Sequence, residues 1–381
     1  MPLGVLLRIT SSSFIVHTVM KIVIDCRALY KNIFTEHYSC YIIDALFYLQ
    51  KAKPQVEFFF LTDKIPTDIL HQNLIIKKSL PGLAGWKIWY QRQVPAILKN
   101  VKADILITTG IASSFIDIPQ CIWIPGIEKD NYFKKKYFEW IQKKLQETLK
   151  NAKIIFVNSE KNKKTLVADG SYTHNKIILI PPVADETCYP LTWEEREEIK
   201  KVYTKGREYF LVTQHDFLLP GLINLMKAFS QFKKRQQSNM QLVITDLNEK
   251  KKFSDKLEGF KYRADVHLYD HLDEVAFKKI SSAAYGLLQP IAQDVALLNS
   301  FTMHVPVITN VEGYPEEMDK NAVLYASFTD IEELADRMML LYKDEGLRNA
   351  MIENGRNIIK QFSRKQQLTK LWEGLVNAFN H

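Results

Sequence analysis

The chain has 381 residues, of which 46% are hydrophobic and 25% charged, with 51 Lys+Arg against 43 Asp+Glu. That length predicts two domains rather than one core, and the composition excludes collagenous, low-complexity and disulfide-framed classes. No apolar run reaches the ~20 residues of a membrane span, and the scattered Cys26, Cys40, Cys121 and Cys188 form no C-x-x-C pair, which reads as reduced thiols of a cytoplasmic protein without a metal site.

Residues 1–19 carry one Arg and two broken apolar patches, with no continuous apolar stretch to serve as a signal peptide. They read as an N-terminal extension ahead of Met20. Strands and helices then alternate, the pattern of parallel sheets with helical crossovers. Strands are expected at Lys21–Asp25, Phe58–Thr62, Asp104–Thr108, Cys121–Ile124 and Lys153–Val157. Helices are expected near Tyr38–Gln50, Trp89–Leu98, Tyr137–Leu149 and Glu160–Ala168. Pro181-Pro182 and Pro190 break the pattern, and Trp193–Thr204 reads as a charged, exposed helix. A second alternation follows, with strands at Tyr209–Thr213, Gln241–Thr245, Val266–Tyr269, Gly286–Gln289 and Val305–Thr309. Its helices fall near Leu222–Lys234, Lys250–Gly259, Asp273–Ala284 and Val295–Met303. The last segment is an amphipathic helix with Leu368, Leu371, Trp372, Leu375 and Val376 on one side. These blocks predict an α/β protein of two doubly wound, Rossmann-like domains, 20–190 and 191–362, with an interdomain cleft. Residues 363–381 are expected to return to the first domain.

Residues Gly286 to Glu316 carry the most specific pattern: GLLQP, then IAQDVALLNSFTMHVPVITN, then VEGYPEE. The stretch resembles the donor-site signature of the retaining GT-B glycosyltransferases of family 4, E-G-F-G-x-P-x-x-E-A-M-A-x-G-x-P-V-I. The strand VPVIT and the later Pro315-Glu316 match it. The segments 152–182 and 327–363 also resemble that family's interdomain stretch and C-terminal tail. The resemblance implies the GT-B fold, a nucleotide-sugar as co-substrate with no separate cofactor, and a glycan or lipid-linked acceptor.

The charged positions of the family depart. Its two signature glutamates fall on Ile291 and Asn299, and its G-F-G falls on Ala292, Gln293 and Asp294. Asp294 is a natural helix cap, and a carboxylate there would repel phosphate. Asn299 can still bond a ribose hydroxyl, or can stand on the helix surface. The family's cationic turn falls near Leu219 and Pro220, and residues 214–226 contain no Arg or Lys. His215-Asp216 fits either a base with its orienting carboxylate or a plain loop hydrogen bond. The donor-side candidates are therefore His215, Gln293, Asp294, Asn299 and Glu316.

In the first domain the family's glycine-rich turn becomes a stretch without Gly, Tyr30 to Tyr38, and its active-site His falls on Pro125. Acceptor-side candidates are Arg92 and Trp89, among Trp86 and Tyr90, together with Gly126. The aromatics suit sugar stacking or simple packing. No confident catalytic residue emerges. Residues 20–190 hold 24 Lys+Arg against 16 Asp+Glu. That balance suits an anionic membrane surface or substrate, or is a solvated basic face. No nucleic-acid signature appears. Three readings follow: a glycosyltransferase with a rebuilt donor site, a non-catalytic GT-B protein that binds a glycan or a partner glycosyltransferase, and a sugar-nucleotide epimerase. The last lacks a convincing carboxylate pair.

Overall fold

The computed structural model describes residues 19–27, 36–63, 73–78, 80, 82–109, 116–124, 135–168, 176–213, 219–245, 254–255, 257–269, 272–292, 294–312, 314–315 and 318–380. It divides into two compact units, one of residues 1–158, 162–180 and 368–381 and one of residues 159–161 and 181–367.

The first unit is built on a seven-stranded parallel sheet of order β3-β2-β1-β4-β5-β6-β7. The strands are β1 Met20–Asp25, β2 Val56–Thr62, β3 Leu74–Ile76, β4 Ile105–Thr108, β5 Gln120–Ile124, β6 Ile154–Val157 and β7 Ile177–Leu179. Their middles are continuous apolar runs because helices cover both faces of such a sheet. Ile22, for example, stands beside Phe58 and Ile105, and all three are fully buried. Helices α1 Glu36–Ala52 and α2 Gly82–Ile88 precede a π-helical turn at Trp89–Gln93, which runs on into α3 Val94–Val101. α4 Lys135–Asn151 and α5 Glu160–Ala168 follow.

The second unit has a six-stranded parallel sheet of order β10-β9-β8-β11-β12-β13. Its strands are β8 Tyr209–Thr213, β9 Gln241–Thr245, β10 Val266–Leu268, β11 Gly286–Gln289, β12 Val307–Thr309 and β13 Val323–Tyr325. Strand alternation sends Phe210, Val212, Leu242, Ile244, Leu288 and Ile308 into one core with α7 Leu219–Gln236. Tyr209, Leu211, Val243, Leu287, Val307 and Val323 enter the other. That second face is covered by α8 Glu274–Ala283 and α9 Asp294–Thr302. The charged helix α6 Trp193–Thr204 starts at a capping box, in which Thr192 and Glu195 satisfy each other's backbone N–H groups. α10 Ile331–Lys343 and α11 Glu345–Gln361 complete the unit.

The last helix, α12 Arg364–Asn380, places residues 368–380 in the first unit. Leu371, Leu375 and Ala378 are fully buried there. The helix lies so close that a Cβ at Gly374 would stand 2.6 Å from the Phe156 ring and 2.9 Å from Ile178. Gly374→Ala is therefore expected to cost the first unit about 1–3 kcal/mol through overpacking. Urea denaturation followed by tryptophan fluorescence reads this unit selectively, since it holds Trp86, Trp89, Trp123, Trp140 and Trp372 while only Trp193 lies in the other. An unshifted midpoint would show that the helix can move aside.

Candidate functional site

Ligands of doubly wound sheets bind beyond the carboxyl ends of the strands, where the strand order reverses. In the first unit that point lies between β1 and β4, and in the second between β8 and β11.

At the first of these points a buried ionic cluster closes the end of β1. Asp25 is 1% exposed, and its two carboxylate oxygens accept from the Arg27 backbone N–H at 3.0 Å and from Trp89 Nε1 at 3.0 Å. Arg27 is completely buried. Its Nε donates to Asp63 Oδ2 at 3.1 Å and its Nη1 to the Gly85 carbonyl at 3.2 Å. Its guanidinium lies 4.1 Å from the Trp86 ring centre and 4.9 Å from that of Trp89. Just past the end of β4, Thr109 Oγ1 donates to the Asp25 carbonyl at 3.1 Å. Burial pushes the Asp25 carboxyl up to about 6, against the opposing pull of its bonds to Trp89, to the Arg27 backbone and to Tyr90 and of the Arg27 charge. The π-helical turn makes this possible. Its wider winding turns two consecutive aromatic side chains, Trp89 and Tyr90, inward together.

Trp89 is thus a core residue, with its indole N–H spent on Asp25, and offers no ring face at the surface. Arg92, on the same turn, is exposed. Gly126 lies outside the described residues.

At the second point the strands end in a polar row: Thr245 on β9, Gln289 on β11, Thr309 on β12 and Tyr325 on β13. Gln289 stands beside Thr309 and Thr309 beside Tyr325. Each of the four carries a buried oxygen with no hydrogen-bond partner: Thr245 Oγ1, Gln289 Oε1, Thr309 Oγ1 and Tyr325 Oη. Such an oxygen costs ~1–3 kcal/mol when left unpaired, and these four share one end of the sheet. Burial and Asp319 push the Tyr325 hydroxyl up to about 12, so it stays protonated as a donor. The prolines and signature motif did not reveal this row. The available signal was that these apolar strands end on Thr, Gln, Thr and Tyr.

Asp294 is the first residue of α9, partly buried. Asn299 stands on the same helix, and its Oδ1 accepts from the Asp185 backbone N–H at 2.8 Å. The Asp185 carboxylate in turn accepts from Thr187 N at 2.8 Å, from Thr187 Oγ1 at 2.6 Å and from Lys278 of α8. Burial alone would raise this carboxyl, but the bonds to Lys278 and Thr187 outweigh it and hold it below its ordinary range. Ser282 Oγ adds a bond to the Tyr189 carbonyl at 2.7 Å. Residues 185–189 are therefore strapped onto α8 and α9, and the Asn299 carbonyl is part of the strap. His215, Gln293 and Glu316 lie outside the described residues. Among the described residues no helix is long and apolar enough to cross a membrane, and no group of three or more His, Cys, Asp or Glu could hold a metal ion.

Known proteins share this architecture. Residues 195–358 match the family model described as glycosyl transferases group 1. The chain matches no curated protein in sequence. Among solved structures, a glycosyltransferase from Rickettsia africae is similar at 15% identity over 93% of this chain and 97% of that one, with a TM-score of 0.72. HepE from Anabaena, solved with UDP and glucose, is similar at 13% identity over 94% and 99%, with a TM-score of 0.68. WaaG, a glycosyltransferase involved in lipopolysaccharide biosynthesis, is similar at 15% identity over 89% and 95%, with a TM-score of 0.65. The chain thus has the GT-B fold, and most of its second unit, residues 195–358, matches the model of the glycosyl transferases group 1 family.

Proposed function

We propose that the protein transfers a sugar from a nucleotide-sugar donor to a glycan or lipid-linked acceptor. The observation that carries this is the family match over residues 195–358, which spans the strand edge where the polar row stands. The donor is the co-substrate, bound by the second unit, and no further cofactor or metal is assigned. The excess of Lys and Arg over residues 20–190 suits an acidic acceptor or a lipid-linked one at an anionic membrane face, which fits a cytoplasmic protein with peripheral membrane contact.

A second reading, a non-catalytic scaffold for a glycan or a partner glycosyltransferase, is favoured by one observation. The Asn299 carbonyl, which stands where the family has its second glutamate, is committed to the Asp185 backbone. Calorimetric titration of the full chain with UDP, GDP and ADP, and with UDP-glucose, GDP-mannose and ADP-glucose, separates the two. Transfer predicts micromolar to low millimolar binding of one nucleotide and slow hydrolysis of its sugar conjugate, detected as released hexose. Absence of binding to all six leaves only the scaffold.

A further inference from the structure

We propose that Gln289 is a specificity-determining residue, a fixed hydrogen-bond acceptor that takes hydroxyl groups of the sugar nucleotide and turns phosphate away. The inference rests on the reading of this strand edge as the donor site.

Gln289 differs from its neighbours in the row because its amide has one orientation. Its Nε2 donates to Ser300 Oγ at 3.0 Å, and Ser300 Oγ donates to the Ala296 carbonyl at 2.7 Å. The single proton of the Ser300 hydroxyl is thereby used, so toward Gln289 that oxygen only accepts. A flipped amide would set Oε1 against a lone pair. Gln289 Oε1 is consequently locked as an acceptor, and it is buried with no partner of its own.

The rest of the row fits the same ligand chemistry. In the register of β11, β12 and β13, Thr309 and Tyr325 follow Gln289, and both add a hydroxyl without a partner. Thr245 adds a third on β9, which flanks β8 on its other side. One step back along the same face, Val243, Leu287, Val307 and Val323 are core. The row is thus a line of neutral groups on an apolar floor. A hydroxyl-bearing ring meets both acceptors and donors there. An ionised phosphate has only acceptor oxygens and meets a repelling carbonyl at Gln289. The shared chemistry is a pair of neighbouring hydroxyls, which either the ribose or the transferred hexose supplies.

The test is calorimetry on the full chain, wild type and Gln289→Leu, with UDP-glucose, GDP-mannose and ADP-glucose and with the three nucleoside diphosphates. Gln289→Leu should weaken binding of the preferred sugar nucleotide about tenfold or more, because a site built to bond a hydroxyl discriminates strongly once a partner is lost. Its ligand-free melting temperature should be unchanged or higher, since the substitution removes an unpaired buried oxygen. Weakening that extends to the nucleoside diphosphate assigns the hydroxyls to the ribose. Weakening confined to the sugar conjugate assigns them to the hexose, and either result supports the proposal. If Gln289→Leu does not fold, Ser300→Ala carries the test. It frees the amide to turn and should weaken the same ligand selectively. Wild-type binding that either variant leaves intact overturns this inference alone. A wild type that binds none of the six overturns the donor-site reading together with it.

Discussion

Arg27→Met is expected to destabilise the first unit by about 3–5 kcal/mol, because it leaves two buried carboxylates without their cation. Arg27 is fully buried, and the Asp63 side chain paired with it is 4% exposed. Asp25 is held through the Arg27 backbone and feels its charge. Methionine keeps most of the volume but neither the bond to the Gly85 carbonyl nor the stacking on Trp86 and Trp89. Much of the loss is the penalty of the stranded carboxylates rather than the worth of the pair. The double variant Arg27→Met, Asp63→Asn should therefore recover a measurable part of it, with a coupling of about 0.5–3 kcal/mol. Urea titration by tryptophan fluorescence reads both variants, since Trp86 and Trp89 belong to the cluster itself. Additive losses would mean that Arg27 and Asp63 do not share the energy their geometry implies.

Asp25 gives the protein a pH dependence of definite sign. Its carboxyl is pushed up to about 6 in the folded chain by burial, against ~3.9 when unfolded. Between those values the folded state holds more protons than the unfolded one, so stability falls as pH rises through the interval and levels off above it. About two pK units correspond to roughly 3 kcal/mol. Asp25→Asn keeps the side-chain shape and cannot ionise. Relative to this variant, the wild type should lose about that much stability between pH 4 and pH 7. The Asp185 carboxyl, held low by Lys278 and Thr187, acts in the opposite sense in both proteins and cancels from the comparison. Denaturation at pH 4, 5, 6 and 7 decides the matter, and parallel curves for the two proteins would show an ordinary, solvated Asp25.

The double alternation of strands and helices was legible because each buried parallel strand is a short apolar block flanked by turns. β3, β7 and β13 were not, and the reason is geometric. Three residues at a sheet edge are too few to show a period, and of the four strands of this kind only β10 was expected, at Val266–Tyr269. Nothing in the sequence marks the π-helical turn at Trp89–Gln93, because one widened turn changes no residue type. The aromatic cluster around Arg92 therefore carried no direction, and only the structure shows Trp89 facing inward to Asp25. Asn299 was visible as a polar residue at a signature position. Its bond to Asp185 joins residues 114 apart, which no local pattern encodes. The polar row is of the same kind: each strand end looks like an ordinary boundary until register lines Gln289, Thr309 and Tyr325 up side by side.

The path of α12 sets the order in which the two units can be finished. Ribosomes deliver the chain from its amino end, so every strand of the first sheet has emerged by Leu179. The core of that unit still lacks Leu371, Leu375 and Ala378, which come only after the whole of residues 181–367. During synthesis the surface around Phe156 and Ile178 therefore waits uncovered while the second unit is made. The first unit to be translated is the last to be sealed, and a chain cut short before Leu371 would keep that surface open for chaperones and proteases to recognise.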